Sequence, residues 1–134
     1  MILARQMHVE SIYSDLELNQ RALWRTISDP RVYAVLIYKH DRPIGMGAAI
    51  HFRHYFSSEW SVKDLWIFVE KNSRGMSGGQ AILEFIRAME AWAAVKGARK
   101  IFLESTTGVK TLQTQRIYEK LGYKTTGIVA VKEL

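Results

Sequence analysis

The feature that most constrains the fold is a succession of strand, glycine-rich turn, helix and strand in the second half of the chain. Residues 62–69 alternate with the period of a strand. Apolar residues then recur at helical spacing over residues 82–95, and Gly97 favours a helix stop. Residues 100–105 predict the next strand. A helical crossover makes two such strands parallel, so this half predicts a βαβ unit.

The first half of the chain predicts helices followed by a β-hairpin. Apolar spacing over residues 10–28 favours one or two helices, which Asp29 and Pro30 end. Residues 32–38 and 44–52 predict two strands, joined by a turn at residues 41–43. Within the second strand are two glycines, Gly45 and Gly47, which indicate a bulge or a close backbone approach.

The remaining segments complete a single α/β domain. A short helix is predicted over residues 111–121, closed by Gly122, and a last strand over residues 128–131. Only residues 2–4 are available for a strand ahead of the helical region. We therefore expect one domain over residues 1–134, with a mixed sheet and helices on its faces.

Composition restricts the class of protein and of site. Of the 134 residues, 48% are hydrophobic and 24% are charged, which is typical of one globular domain. The chain has no cysteine, which excludes disulfides, thiolate zinc sites and cysteine nucleophiles. No apolar run is long enough to span a bilayer, and the N-terminus does not have a signal-peptide pattern. We expect a cytoplasmic protein without membrane contact.

The formal net charge of +6 is compatible with nucleic acid, an acidic membrane surface or an anionic small ligand such as coenzyme A. Basic residues are spread along the chain with no run of five, which argues against nucleic acid. A basic solvated surface without a ligand explains the charge equally well. The histidines His51 and His54 are expected to point to opposite faces of a strand, and no cluster has metal-ligand spacing, so no metal is expected.

The turn between the third strand and the long helix is a candidate phosphate site. It consists of Arg74, Gly75, Met76, Ser77, Gly78 and Gly79. A helix N-terminus presents unpartnered N–H groups and the positive end of the helix dipole, and glycines let a pyrophosphate approach the backbone. The turn is neither a Walker A loop nor a GxGxxG fingerprint. The alternative is a glycine-rich turn that binds nothing.

Two motifs in this order resemble the GNAT N-acetyltransferase family. Residues 64–79 resemble its motif A, in which a strand leads into Arg/Gln-x-x-Gly-x-Gly/Ala and a helix. Arg74 and Gly79 match the two ends, whereas Ser77 replaces the first glycine. Residues 117–124, Ile-Tyr-Glu-Lys-Leu-Gly-Tyr-Lys, resemble the family's YEKLGF/Y element. The resemblance covers residues 32–134, and the first residues are similar to small GNAT proteins associated with phage and prophage.

The resemblance implies a GNAT fold: a mixed, mostly antiparallel sheet with a central parallel βαβ unit, flanking helices and a first strand that is short or missing. It implies an enzyme that transfers an acetyl group from acetyl-CoA to a primary amine of a small molecule or protein. The resemblance does not identify the amine, and it leaves open whether the protein forms a homodimer. The implied cofactor-binding residues are Ile67, Phe68, Val69, Arg74, Gly75, Met76, Ser77, Gly78, Gly79 and Thr111. Thr111 replaces an asparagine found in many members, on the helix that contacts pantetheine.

The resemblance also assigns catalytic roles. Tyr118 matches the tyrosine that protonates the leaving thiolate; the alternative is an aromatic side chain that packs the short helix. Asp64 lies near the usual carboxylate base, which acts directly or through water; the alternative is a solvated or salt-bridged strand residue. On a regular strand Asp64 shares a face with Trp66 and Phe68. The backbone N–H near Val69, where the strand splays open, would polarise the acetyl carbonyl.

Two other classes of function compete with an enzyme. The first is a GNAT-like module that binds acyl-CoA weakly or not at all and contacts a protein partner, which the departures at Ser77 and Thr111 keep open. The second is a nucleic-acid binder, for which no basic stripe with interleaved aromatic residues is visible. An acceptor pocket lined by His8 and Glu10 is a further hypothesis, against the alternative of a polar helix start.

Overall fold

The computed structural model of the chain describes residues 16–104 and 111–134. Contacts divide the chain into two units, Met1–Phe102 and Leu103–Leu134. The helices and strands of the first unit are α1 (Leu16–Ser28), β1 (Val32–Lys39), β2 (Arg42–Arg53), β3 (Trp60–Val69), α2 (Met76–Val95) and β4 (Lys100–Phe102). A 3-10 helix, Lys71–Ser73, connects β3 to α2, and the second unit contains α3 (Thr111–Lys120).

The four strands form one mixed sheet in the order β1-β2-β3-β4. β1 with β2 and β2 with β3 are antiparallel, whereas β3 and β4, which flank α2, are parallel. The predicted hairpin and βαβ unit are therefore confirmed. The hairpin turns at His40 and Asp41, whose φ angles of 48° and 61° are those that a tight hairpin turn requires.

α1 and α2 cover opposite faces of the sheet. Leu23 of α1 packs against Met46 and Phe68. On the other face, the Phe85 ring of α2 lies where a side chain at Gly47 would be. Since Met46 and Gly47 are neighbours on β2, they face opposite sides of the sheet. The apolar core therefore lies in two layers, one on each side of β2 and β3.

Two glycines of β2 allow close packing. A Cβ at Gly47 would lie 2.4 Å from the Phe85 ring, which is 1% exposed. A Cβ at Gly45 would lie 2.8 Å from the carbonyl oxygen of Phe68. Both distances are shorter than a carbon atom tolerates, so the close backbone approach predicted from these glycines is confirmed.

We expect Gly47→Ala to lower the free energy of unfolding by about 1–3 kcal/mol, because the added methyl group must displace Phe85 in a packed core. Urea unfolding measures this change as a lower midpoint concentration. Gly127→Ala is the matched control, since a Cβ there meets nothing within 4 Å. Both variants restrict the unfolded chain in the same way. Equal midpoint shifts would show that Phe85 does not need this space.

The pairing of β2 with β3 is interrupted by a bulge at Leu65. Ala48 pairs with Trp66 and Ala49 pairs with Asp64, which leaves Leu65 outside the register. Ala48 and Ala49 face opposite sides of the sheet, so their partners Trp66 and Asp64 do as well. The prediction that Asp64 shares a face with Trp66 and Phe68 is wrong, because an inserted residue shifts the alternation by one.

The predicted last strand is also wrong. Residues 123–134 form no helix or strand, and Ile128 and Val131 are 94% and 81% exposed. Their β-branched side chains favour a strand, but a strand forms only where a neighbour pairs with its backbone. β4 ends at Phe102, whereas the sequence predicted a strand to residue 105. Residue 105 lies outside the described residues. Residues 1–15, which include the predicted start of the helical region, lie outside them as well.

His51 on β2 lies among aromatic rings with its Nε2 atom buried. The ring stacks on Trp60 at a centroid distance of 4.3 Å, and Trp92 meets it edge-on at 6.3 Å. Nε2 has no hydrogen-bond partner in the described part of the chain. Burial, assisted by the charge of Lys96, lowers the pKa of His51 from its ordinary value of 6.5.

We expect acidification to destabilise the protein partly through His51. The unfolded chain takes up this proton near pH 6.5, whereas the folded chain takes it up only at lower pH. The free energy of unfolding should therefore fall as the pH drops below about 6.5. His51→Phe keeps an aromatic ring and removes the titration, so its thermal unfolding should depend less on pH. Identical pH profiles for both proteins would contradict this expectation.

Candidate active site

β3 extends past the end of β4. The two strands pair only from Ser61 with Lys100 to Lys63 with Phe102, whereas β3 continues to Val69. Among the described residues of the first unit, no strand pairs with residues 64–69 on this side. The backbone of an open strand edge can hydrogen-bond an extended ligand. The pairing ends beside Asp64 and not at Val69, where the resemblance placed the opening.

Asp64 lies where the pairing of β3 with β4 ends. Its register partner is Ala49, on the same face as Gly47, so Asp64 faces the side of the sheet that α2 covers. The residue is 8% exposed and takes part in at least one polar or electrostatic interaction. Burial excludes the solvated form of the alternative for Asp64, whereas a salt-bridged strand residue remains compatible with the structure. The buried Asp64 side chain belongs to the residue immediately before the bulge at Leu65.

The turn from β3 into α2 depends on Gly75. This residue is the N-cap of α2, with φ 103° and ψ −139°, a conformation essentially restricted to glycine. The N-cap residue, a glycine, supplies no side-chain hydrogen bond to the helix. An α-helix leaves its first N–H groups without intrahelical acceptors, and here these belong to Met76, Ser77 and Gly78. The arrangement can bind an anion through backbone N–H groups and the helix dipole.

Two of the predicted N–H donors are already engaged. Gly79 donates to the Gly75 carbonyl oxygen at 2.9 Å, and Arg74 donates to the Lys71 carbonyl oxygen at 3.3 Å. In the described part of the chain, no turn or loop hydrogen bond uses the N–H groups of residues 75–78, so these are the candidate donors to a ligand. Gly78 is buried, and a Cβ there would lie 3.0 Å from the Ser73 carbonyl oxygen, so a larger residue would push α2 away from the turn.

The predicted cofactor-binding side chains on β3 are largely committed to the core. Phe68 is 7% exposed and packs against Met46, and Val69 is 6% exposed. The Arg74 side chain donates through Nε to the Val69 carbonyl oxygen at 2.9 Å, and its guanidinium lies 5.6 Å from the Phe68 ring. Phe68 and Val69 could therefore contact a ligand only through backbone atoms, while Ile67 is half-buried.

A polar cluster that sequence reasoning missed holds the turn in place. The Glu70 carboxylate accepts hydrogen bonds from Ser73 Oγ at 2.6 Å and from Arg42 Nη2. Glu70 is 5% exposed, and its hydrogen bond raises the pKa of Arg42. The cluster ties the turn to the hairpin. Arg42 and Glu70 are 28 residues apart, so the only sequence signal was a carboxylate directly after a strand and before a glycine-rich turn.

Tyr118 and Thr111 belong to the second unit. Tyr118 is half-buried in α3, its hydroxyl donates to the Glu104 carbonyl oxygen at 3.3 Å, and its ring lies 6.3 Å from that of Tyr123. The predicted packing of the short helix is compatible with this position, and the catalytic role of Tyr118 stays a prediction. Thr111 is the first residue of α3. The side chains of Thr111 and Ser77 lie outside what the structure describes.

Among the described residues there is neither a metal-ligand cluster nor a membrane-spanning helix. Over residues 16–104 and 111–134, no group of three or more histidine, aspartate or glutamate side chains could hold a metal ion. No described helix is long and apolar enough to cross a membrane. His8 and Glu10, the hypothetical acceptor pocket, lie outside the described residues.

Comparison with solved structures finds the same fold in aminoglycoside acetyltransferases. AAC(6')-Iy, in complex with the bisubstrate analogue CoA-S-monomethyl-acetylneamine, superposes with a TM-score of 0.74 at 16% identity, covering 98% of this chain and 88% of that chain. AAC(6')-Ih from Acinetobacter baumannii superposes with a TM-score of 0.74 at 13% identity, covering 98% of this chain and 88% of that chain. An aminoglycoside acetyltransferase from an uncultured soil metagenomic sample superposes with a TM-score of 0.72 at 17% identity, covering 99% of this chain and 88% of that chain. At such identities the likeness shows the fold.

The sequence itself matches a protein family. A search of curated proteins found no match. The family model described as an acetyltransferase (GNAT) domain matches residues 30–125, which include β1 to β4, α2 and α3. The match spans both units of the chain. The chain belongs to the GNAT acetyltransferase family.

Proposed function

We propose that the chain is an N-acetyltransferase that transfers an acetyl group from acetyl-CoA to a primary amine. The observation that carries the proposal is the glycine-rich N-terminus of α2, with Gly75 as its N-cap, directly after a strand that extends beyond its neighbour β4, in a member of the GNAT family. Complexes of the similar AAC(6')-Iy with CoA and with a CoA-containing analogue support acetyl-CoA as the donor.

The two ends of the donor need separate places on β3 and α2. The pantetheine arm separates the thioester from the pyrophosphate, so both cannot bind beside Val69. Leu65 lies four residues before Val69, about 13 Å away at ~3.3 Å per residue. We place the pyrophosphate on the N–H groups of residues 75–78 and the acetyl group beside residues 64–66. Leu65 stands outside the β2 register, so its N–H is a candidate donor to the acetyl carbonyl.

This placement removes a difficulty for Asp64. With the acetyl group beside the bulge, the carboxylate lies next to the reaction and not about 16 Å away, the distance from Val69 along a straight strand. Asp64 would take a proton from the incoming ammonium, directly or through water, and the neutral amine would form the new C–N bond. As the C–S bond breaks, Tyr118 would give its phenolic proton to the thiolate, and the second proton lost by the new amide nitrogen would restore the phenol, directly or through water.

We expect Asp64→Asn to lower kcat at neutral pH by about 10²–10⁴-fold, the usual contribution of general base catalysis. The rate should partly recover at higher pH, where more of the amine is already neutral. Initial rates from pH 6 to about 9.5 measure this, with Asp41→Asn on the exposed hairpin turn as control. A higher KM for the amine at every pH would show a binding role. Unchanged kcat and KM would remove Asp64 from the mechanism.

Acetyl transfer can be tested without a background signal. The chain contains no cysteine, so a thiol reagent detects only released CoA. A panel of amines should begin with aminoglycosides, because several structural neighbours are named as aminoglycoside acetyltransferases. Polyamines and peptides with free N-termini should follow. We expect CoA release that depends on one class of amine. Tight acetyl-CoA binding without release with any amine would contradict the transferase and favour a binding module.

A further inference from the structure

The tip of the β2–β3 hairpin exposes two neighbouring aromatic side chains. The N–H of Ser57 donates to the His54 carbonyl oxygen at 3.0 Å and closes a β-turn, with Tyr55 and Phe56 at its centre. These two residues are 95% and 98% exposed, and their rings meet edge to face at 5.1 Å. Turns of this kind favour glycine, proline, asparagine, aspartate and serine. Neither the turn nor the core therefore accounts for two aromatic residues at this place.

Positive charge surrounds this tip. Residues 51–63 and 98–102 come together at this end of the sheet, where β2 pairs with β3 and β3 pairs with β4. The basic side chains of these two stretches are Arg53, Lys63, Arg99 and Lys100. The stretches are far apart in the sequence, so the charge is dispersed along the chain and is gathered only by the fold.

The described residues leave most of this charge without an acidic partner. The two stretches contain one acidic side chain, Glu59, which lies 3.9 Å from Lys100. Arg53 and Lys63 lie over aromatic rings instead. Neither of them, nor Arg99, has an ion-pair partner in the part of the chain that the structure describes. This end of the sheet is therefore positive around two apolar side chains.

The cations lie on both faces of the sheet. The Arg53 guanidinium lies 5.0 Å from the centroid of the Trp60 ring. Lys63 Nζ lies 5.4 Å from the centroid of the Phe52 ring. Because Phe52 and Arg53 are neighbours on β2, these two contacts are on opposite faces. A nucleic-acid strand or an acidic peptide would follow one groove and contact the cations of one face. A flat anionic surface laid against the end of the sheet would contact the tip and the cations of both faces.

We propose that the tip of the β2–β3 hairpin binds the surface of a bilayer that contains anionic lipids. Tyr55 and Phe56 would insert at the level of the headgroups, where aromatic side chains are favoured, and the surrounding cations would lie against the lipid phosphates. The sequence predicted no membrane contact because it contains no spanning run, but a contact at the bilayer surface needs none. A second copy of the chain is a poorer partner, since a two-fold contact would bring these cations against each other.

The surface lies at the opposite end of β3 from the turn proposed for the pyrophosphate. Val69 lies about 30 Å from Trp60 along a strand with a rise of ~3.3 Å per residue. A bilayer at one end and acetyl-CoA at the other would not compete for the same residues. The inference therefore does not rest on the proposed function, and it is tested without measuring activity.

Co-sedimentation of the full chain with lipid vesicles tests the inference. Vesicles of phosphatidylglycerol and phosphatidylcholine should bind the chain at least about 10-fold more tightly than vesicles of phosphatidylcholine alone. Salt at about 0.5 M should remove most of this difference, because it shortens the distance over which charges interact.

The aromatic tip is tested by Tyr55→Ser combined with Phe56→Ser, called the tip variant. Binding to the anionic vesicles should weaken by about 10-fold or more, because both rings leave the bilayer. Both side chains are almost fully exposed, so their removal leaves the core intact. The control is Ile128→Ser combined with Val131→Ser, which removes apolar side chains that are 94% and 81% exposed in the second unit.

The charge is tested by Lys63→Gln combined with Arg99→Gln. Binding to the anionic vesicles should weaken by about 10-fold, since each cation near an anionic bilayer adds to the attraction. The control is Lys124→Gln combined with Lys132→Gln, which removes the same charge from two exposed residues of the second unit.

Vesicle binding that is absent, or equally tight with and without anionic lipid, overturns the inference. A loss of binding in either control as large as in its matched variant overturns it too. If the chain does not bind vesicles, oligothymidine binding that the tip variant loses assigns the surface to nucleic acid. A dimer in sedimentation equilibrium that only the tip variant loses assigns it to a second copy. Each of these results overturns the bilayer contact and leaves the proposed function standing, which acetyl-CoA binding and CoA release decide.

Discussion

Tyr118→Phe is expected to lower kcat by about 10²–10⁴-fold with little change in the Kd for acetyl-CoA. The substitution keeps the ring and removes the only proton that the residue can give. A group that protonates the departing thiolate acts in the transition state, so its loss appears in kcat and not in cofactor binding. Pre-steady-state measurement of CoA release, paired with calorimetry of acetyl-CoA binding, separates the two quantities.

The hydroxyl of Tyr118 also has a structural contact that the experiment must separate from catalysis. It donates to the Glu104 carbonyl oxygen, and losing a bond of this kind costs about 1 kcal/mol of stability. Tyr123→Phe is the control, because that ring lies beside Tyr118 in the same unit. A structural role would lower the Tm and leave the pH profile of kcat unchanged. An unchanged kcat with chemistry rate-limiting would show that Tyr118 only packs the helix.

Gly78→Val is expected to raise the Kd for acetyl-CoA by at least about 100-fold. A Cβ at this position would lie 3.0 Å from the Ser73 carbonyl oxygen and 3.6 Å from Val69 Cγ1, and valine adds two methyl groups beyond it. The first turn of α2 must then move away from the loop. Losing two charge-assisted hydrogen bonds from N–H groups to a pyrophosphate is enough for a change of this size.

The control for Gly78 is Gly127→Val, since a Cβ at Gly127 meets nothing within 4 Å. Circular dichroism and thermal unfolding establish whether each variant remains folded, because only a folded Gly78→Val protein tests the site. Gly78→Ala provides a second, milder step at the same position if the valine variant unfolds. Acetyl-CoA binding as tight in the folded Gly78 variants as in the parent would place the pyrophosphate elsewhere.

Local patterns were sufficient to predict the elements that position the site. Strand alternation predicted β1, β2 and β3, and Gly97, with a φ angle of 74°, ends the long helix as expected. The glycine-rich turn was placed correctly between β3 and α2 because glycine at positive φ and helical spacing are both properties of neighbouring residues. Gly75, with a φ angle of 103°, supplies the conformation that the turn needs.

What the sequence could not predict depends on residues far apart in the chain. The bulge at Leu65 follows from the register with β2, and one inserted residue moved Asp64 to the face opposite the one expected. The ion pair of Arg42 with Glu70 joins the β1–β2 hairpin to the turn before α2, and no local sequence pattern predicts it. Residues 128–131 have the composition of a strand, yet pairing depends on a partner and the structure gives them none among the described strands.

Titration of the full chain with acetyl-CoA, followed by isothermal calorimetry and by thermal unfolding, tests the central claim most directly. A ligand that binds only the folded state stabilises it by RT ln(1 + [L]/Kd), about 2.7 kcal/mol at 100 times Kd. The account predicts saturable binding of one acetyl-CoA per chain and a rise in Tm that Gly78→Val abolishes. No heat of binding and no change in Tm at millimolar acetyl-CoA would contradict it.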